Sequence, residues 1–143
     1  MVFYQLAIIS KFSIMIKKAV KKFLLFLKMS NSSQKYILLS LKGGIAGSKF
    51  PLKEGENYIG RWDPESGSFP EVNLDKEDVD AKVSRSHAKI IILENGNATI
   101  EDLGSLNGTY INRGPKLTAG VKCKLHIGDE IIIGKVFLKF LEG

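Results

Sequence analysis

Apolar and polar residues alternate with a period of two along most of the chain beyond residue 35. The runs 36–41, 49–52, 57–60, 88–93, 98–103, 109–112, 122–127, 130–133 and 136–141 are short and rich in Ile, Leu, Val, Phe and Tyr. Such runs suit strands with one face on a core. Gly43-Gly44, Glu94-Asn95-Gly96-Asn97 and Gly128-Asp129 fall between them and supply turn chemistry, and Asn95-Gly96 predicts a hairpin. None of the runs is long enough for a helix. Many short strands at close spacing predict an all-β fold, a two-sheet sandwich of about ten or eleven strands. The stretch 62–81 breaks the alternation. It holds Asp63, Glu65, Glu71, Asp75, Glu77, Asp78 and Asp80 against Lys76 alone, and it reads as a long exposed acidic loop with a short strand at 71–74.

The first 29 residues follow a different period. Phe12, Ile16, Ala19, Val20, Phe23 and Leu27 share one helical face. Lys11, Lys17, Lys18, Lys21, Lys22 and Lys28 fall opposite, within an arc of about 140°; Ile14 and Leu25 interrupt that polar side. The pattern predicts a basic amphipathic helix over 12–27, of a kind that lies on an anionic membrane surface or meets a partner. No apolar stretch reaches the roughly 18–20 residues of a membrane span. The lysines follow the first apolar run and no small-residue cleavage site appears, so a signal peptide does not fit either. Met29 opens Met-Ser-Asn-Ser-Ser-Gln-Lys and reads as an alternative translation start. On that reading 1–29 is a helical or disordered extension foreign to the natural protein, 30–35 a polar linker and 36–143 one domain.

Charge sharpens this division. The net charge is +6, and residues 1–29 carry six lysines and no acid, which leaves fifteen basic and fifteen acidic residues for the rest. A body without net charge lacks the electrostatic footprint of a nucleic-acid binder. Cys123 is the single cysteine, so no intramolecular disulfide forms and a cytoplasmic setting is expected. Two His and one Cys, far apart, make no zinc site. The spacing in 73–80 matches no calcium loop. Neither a metal nor a cofactor is expected.

Three short motifs stand at strand ends: Gly60-Arg61, Ser84-Arg85-Ser86-His87 and Asn107-Gly108-Thr109. Each alone is ordinary, a turn with a solvated charge, a hydroxyl bonding its own loop, a hairpin turn. In this order, over 36–143, they resemble the forkhead-associated family. That resemblance implies two twisted sheets that bind phosphothreonine in loops at one end. It also implies a module for phosphorylation-dependent protein–protein interaction in signalling, whose partner is a phosphothreonine-containing substrate of a Ser/Thr kinase. By resemblance Arg61, Ser84 and Asn107 are the contacts, and Arg85 and Leu106 border the site. Gly60, His87, Gly108 and Asn112 are scaffold: His87 bonds loop backbone and fixes Ser84, Gly108 takes a positive φ, and Asn112 ties down the preceding turn.

Chemistry agrees with these roles. Phosphate carries close to two negative charges and three strong acceptors. The Arg61 guanidinium fork suits it, the Ser84 hydroxyl is a neutral donor, Lys82 or Arg85 adds charge at the rim, and the Asn107 carboxamide suits a peptide main chain. The 22 residues between Arg61 and Ser84 are long for this family. Their acids are expected to favour peptides with basic flanks. Two other classes compete. One is a module of the same fold without phosphate dependence, tethered to a membrane through 12–27. The other is an enzyme using Ser84 or Ser86 with His87, which lacks a Gly-x-Ser-x-Gly elbow. The reading is a binding protein.

Overall fold

The computed structural model describes residues 2–30 and 35–143, and the chain divides into two compact units, 1–33 and 34–143. The first is a single helix, α1 (Val2–Ser30), longer than the 12–27 expected. Residues 2–11 contain neither Gly nor Pro, and Ile9 continues the apolar arc. A nucleated helix extends through such a segment at little cost. No helix among the described residues is long and apolar enough to cross a membrane. The expected linker 30–35 begins inside α1 at Ser30, and its positions 31–34 lie outside the described residues.

The second unit is the sandwich. Its strands are β1 (Tyr36–Lys42), β2 (Lys49–Leu52), β3 (Gly55–Gly60), β4 (Val72–Asn73), β5 (Ala88–Ile92), β6 (Ala98–Asp102), β7 (Thr109–Ile111), β8 (Cys123–Leu125), β9 (Glu130–Ile133) and β10 (Val136–Glu142). They form two five-stranded sheets, ordered β2-β1-β10-β9-β7 and β4-β3-β5-β6-β8. All pairings are antiparallel except β3 with β4. The period-two pattern decides which face goes inward. Leu38, Leu138 and Phe140 are buried from one sheet, and Ile59, Ile90 and Ile100 from the other. Tyr36 joins the two sheets. Its ring stacks on Phe140 at 5.1 Å, and its hydroxyl donates to Gly96 O at 2.9 Å in the β5–β6 hairpin.

The acidic stretch is not one exposed loop. Val72 and Leu74 are wholly buried, and Glu77 and Asp78 are buried too. Leu74 N–H donates to Gly60 O at 2.9 Å, so β4 completes the edge of the sheet. Two apolar residues among acids give no legible period, which is why the sequence pattern understates this element.

Register then decides where the motifs go. Ile59 pairs with Ala88, and Ala88 pairs with Asp102. The chain therefore leaves β3 at Arg61, enters β5 at His87 and leaves β6 at Leu103 on the same end of one sheet. Motifs more than twenty residues apart in sequence become neighbours.

Candidate functional site

The three motif loops are stitched together by hydrogen bonds. Arg61 N–H donates to Ser84 O at 3.3 Å, and Arg61 Nε donates to Val83 O at 2.7 Å. This fixes the stem of the guanidinium while its side chain stays 40% exposed. The end of β3 and the loop before β5 approach so closely here that a Cβ on Gly60 would lie 1.9 Å from Arg85 O. Only glycine permits that approach.

Leu106 N–H donates to Ser84 Oγ at 3.2 Å. A hydroxyl that accepts keeps its own hydrogen to donate. Asn107 Nδ2 donates to Lys82 O at 2.9 Å, which orients the carboxamide across the gap between loops. Arg61, Ser84, Leu106 and Asn107 are thereby gathered on one surface, with Leu106 84% exposed. Arg85 is engaged differently. Its Nε pairs with Asp63 Oδ2 at 2.5 Å, so the rim charge expected of it is met by an acid of the long loop. The Ser66 hydroxyl, with Arg85 contributing, holds the Asp63 carboxyl below the usual carboxylate range.

His87 holds the arrangement from below. It is wholly buried. Its Nδ1 accepts from Ser84 N–H at 3.0 Å, and its Nε2 lies 2.9 Å from Gly108 O. An accepting Nδ1 requires the proton on Nε2, which then donates to that carbonyl. Burial lowers its pKa, and the Gly108 bond offsets this only in part, so the ring is neutral. Both ring nitrogens are committed to backbone, and neither serves as a base for Ser84 or Ser86. Gly108 has φ +86°, as the turn requires. Asn112 departs from expectation. It clamps the turn ahead of β9, donating from Nδ2 to Asp129 Oδ1 and accepting at Oδ1 from Glu130 N–H, both at 2.9 Å. The pairing of Ile111 with Ile131 places that turn, rather than the preceding one, beside it.

Two supporting carboxylates escaped the sequence reading. Asp78 accepts from Lys82 N–H at 2.8 Å and Val83 N–H at 2.9 Å, and its Oδ2 lies 3.9 Å from Arg61 Nε. It fixes the approach to Ser84 and underlies the guanidinium. Among seven acids in one stretch it carried no distinguishing signal. Asp102 accepts from Gly104 N–H and Ser105 N–H at 2.9 Å, from Ser105 Oγ at 2.6 Å and from Thr109 Oγ1 at 2.7 Å. Burial alone would raise its pKa, but the Ser105 and Thr109 bonds outweigh burial and lower it. An Asp followed at the second and third places by Gly-Ser is a legible side-chain turn signal.

Two of the remaining acids of the stretch are also partnered. Glu71 pairs with Lys53 at 2.8 Å and Asp80 with Lys135 at 3.3 Å. Glu65 and Asp75 stay exposed and Glu77 is buried, so the charge of the stretch is unevenly spread.

The sequence model of the FHA domain matches residues 58–134. The chain belongs to the FHA domain family. Every motif residue from Gly60 to Asn112 lies inside the matched span. The oxoglutarate dehydrogenase inhibitor of Corynebacterium glutamicum is 44% identical over 107 residues, covering 75% of this chain and 65% of that protein. The glycogen accumulation regulator GarA of Mycobacterium tuberculosis is 43% identical over 107 residues, covering 75% of this chain and 57% of that protein. The match thus spans less than two thirds of those relatives. Among solved structures, an FHA domain studied for phosphothreonine-dependent interactions is 30% identical with a TM-score of 0.59, covering 75% of this chain and 95% of that one. An FHA domain from Chlamydia trachomatis is 29% identical with a TM-score of 0.59, covering 76% and 98%.

Proposed function

We propose that this FHA domain binds phosphothreonine peptides and joins a Ser/Thr kinase substrate to its own chain without catalysing a reaction. The observation that carries the reading is the convergence of Arg61, Ser84 and Asn107 on one surface through the hydrogen bonds of three loops. Arg61 meets the phosphate charge, the Ser84 hydroxyl donates to a phosphate oxygen, and Asn107 grips the peptide main chain. The commitment of both His87 nitrogens to backbone supports binding over hydrolysis. The solved relative studied for phosphothreonine-dependent interactions supports the choice of ligand. A cytoplasmic setting suits a kinase substrate as partner.

Calorimetry with three versions of one peptide tests this. The phosphothreonine form binds, the phosphoserine form binds about fourfold more weakly for want of one methyl contact, and the unphosphorylated form does not bind. Equal affinity for all three assigns the domain to the phosphate-independent class instead.

Helix α1 favours a second, separate role. Ile9, Phe12, Ile16, Val20 and Phe23 are exposed, while the lysines fall opposite them. Such a face suits an anionic bilayer surface. The full chain then sediments with phosphatidylglycerol vesicles but not phosphatidylcholine vesicles, and exchanging Lys17, Lys18, Lys21 and Lys22 for Glu removes it from the pellet. Identical sedimentation with both lipids, or none with either, discards this role.

A further inference from the structure

The long β3–β4 connection folds back onto the motif loops rather than projecting away. Asp63 and Ser68 exchange backbone hydrogen bonds at 2.9 and 2.8 Å. The Ser68 hydroxyl lies 3.2 Å from Arg61 O and 3.1 Å from Arg85 O, the two residues that flank the Gly60 close approach. Beside this stitch opens a groove of about 490 Å³, walled by Tyr58, Ser68, Phe69, Pro70, Arg85 and Ser86. Phe69 is 63% exposed and stands edge-on to Trp62 at 6.0 Å.

The walls define the occupant. Arg85 is neutralised by Asp63, and Glu56 beside the Tyr58 hydroxyl is paired with Lys89 at 2.9 Å. What remains is aromatic and proline surface with serine hydroxyls, which favours an apolar guest over a charged one. Arg85 joins the groove directly to Ser84. An extended peptide advances about 3.3 Å per residue, so a side chain within a few places of the phosphothreonine reaches it.

We propose that this groove is a subsite for an aromatic or large aliphatic side chain of the same phosphopeptide, on the Arg85 side of the phosphothreonine. The inference rests on the phosphothreonine reading and adds to it a specificity built by the long loop.

Trp62 is the single tryptophan of the chain, so its fluorescence reports the groove. The full chain is titrated with phosphothreonine peptides carrying Ala, Phe or Leu at each flanking position in turn. Phe or Leu at one position strengthens binding about five- to twentyfold over Ala and shifts Trp62 emission. Phe69→Ala reduces that gain to less than about twofold while the Ala peptide binds as before; an unchanged circular dichroism melt shows that the fold is intact. No positional preference, or one that persists undiminished in Phe69→Ala, overturns the subsite while leaving phosphothreonine binding standing. Failure of every phosphopeptide to exceed its unphosphorylated control overturns both readings. Self-association that Phe69→Ala abolishes, with no peptide preference, assigns the groove to a second copy of the chain and overturns the proposal.

Discussion

Arg61→Ala weakens phosphothreonine-peptide binding by about ten- to hundredfold. In the proposed complex the guanidinium makes a charge-assisted contact with the phosphate, and such a contact contributes about 1.5–3 kcal/mol. Being on a loop suggests from sequence alone that the fold is indifferent to this change. The structure modifies that view. Arg61 Nε supports Val83 O at 2.7 Å and lies 3.9 Å from Asp78, whose side chain is 1% exposed. Removing the guanidinium leaves a buried carboxylate with less compensation, so a modest fall in melting temperature accompanies the loss of binding. Asp78 keeps its two backbone donors, and for that reason the domain stays folded. Arg61→Lys restores the charge but not the fork and recovers only part of the affinity. Calorimetry and circular dichroism on both variants check this. An unfolded Arg61→Ala domain would show that the residue is scaffold first and contact second.

His87→Ala has the larger effect on stability. It empties a wholly buried position and leaves Ser84 N–H and Gly108 O without the partners that His87 supplies. The cavity and the orphaned backbone groups together cost about 3–5 kcal/mol, a drop of about ten to twenty degrees in melting temperature for a domain of this size. Binding falls too, because His87 couples the loop of Ser84 to the loop of Asn107. A variant that melts like the parent contradicts the clamp.

The same residue sets a pH dependence. Burial depresses the folded pKa of His87, so below its ordinary value the unfolded chain takes up more protons than the folded one. Its contribution to stability is complete above about pH 6.5 and is lost as pH falls toward the lowered folded value. The melting temperature of the free domain therefore declines on acidification from pH 7 to 5, and His87→Ala shows a shallower decline. Asp102 also has a depressed pKa, but its contribution is lost only near and below the ordinary Asp range of about 3.9, a separate window. Using free protein avoids the titration of the phosphate itself near pH 6.

Much of this protein follows from short-range pattern. Each of the nine strand runs forms a strand, and the 71–74 segment contributes β4. The reason is that side chains of a strand alternate, so the inward set of β5, Ala88, Ile90 and Ile92, is written in three consecutive odd or even places. Asn95-Gly96 closes the β5–β6 hairpin with Gly96 at φ +82°, another property of two adjacent residues. The order Gly60-Arg61, Ser84 to His87, Asn107-Gly108 named the family for the same reason.

Helix α1 was legible in kind but not in length, because propagation needs no signal of its own, only the lack of a breaker. The acids of 62–81 were legible as charge and not as structure. Asp63, Asp78 and Asp80 are chemically alike in sequence, yet one neutralises Arg85, one lies buried beneath Arg61 and one pairs with Lys135.

What the sequence determined by itself, then, was the sandwich, its turns and the identity of the motif residues that the loops gather on one surface. What only the tertiary structure decided was how those groups are held and which charges stay available. The clamp from His87 to Gly108 spans 21 residues and the bond from Asn107 to Lys82 spans 25. Such contacts exist only once strand register has brought distant loops to one end of a sheet, and no local period encodes the partner that a side chain will find there.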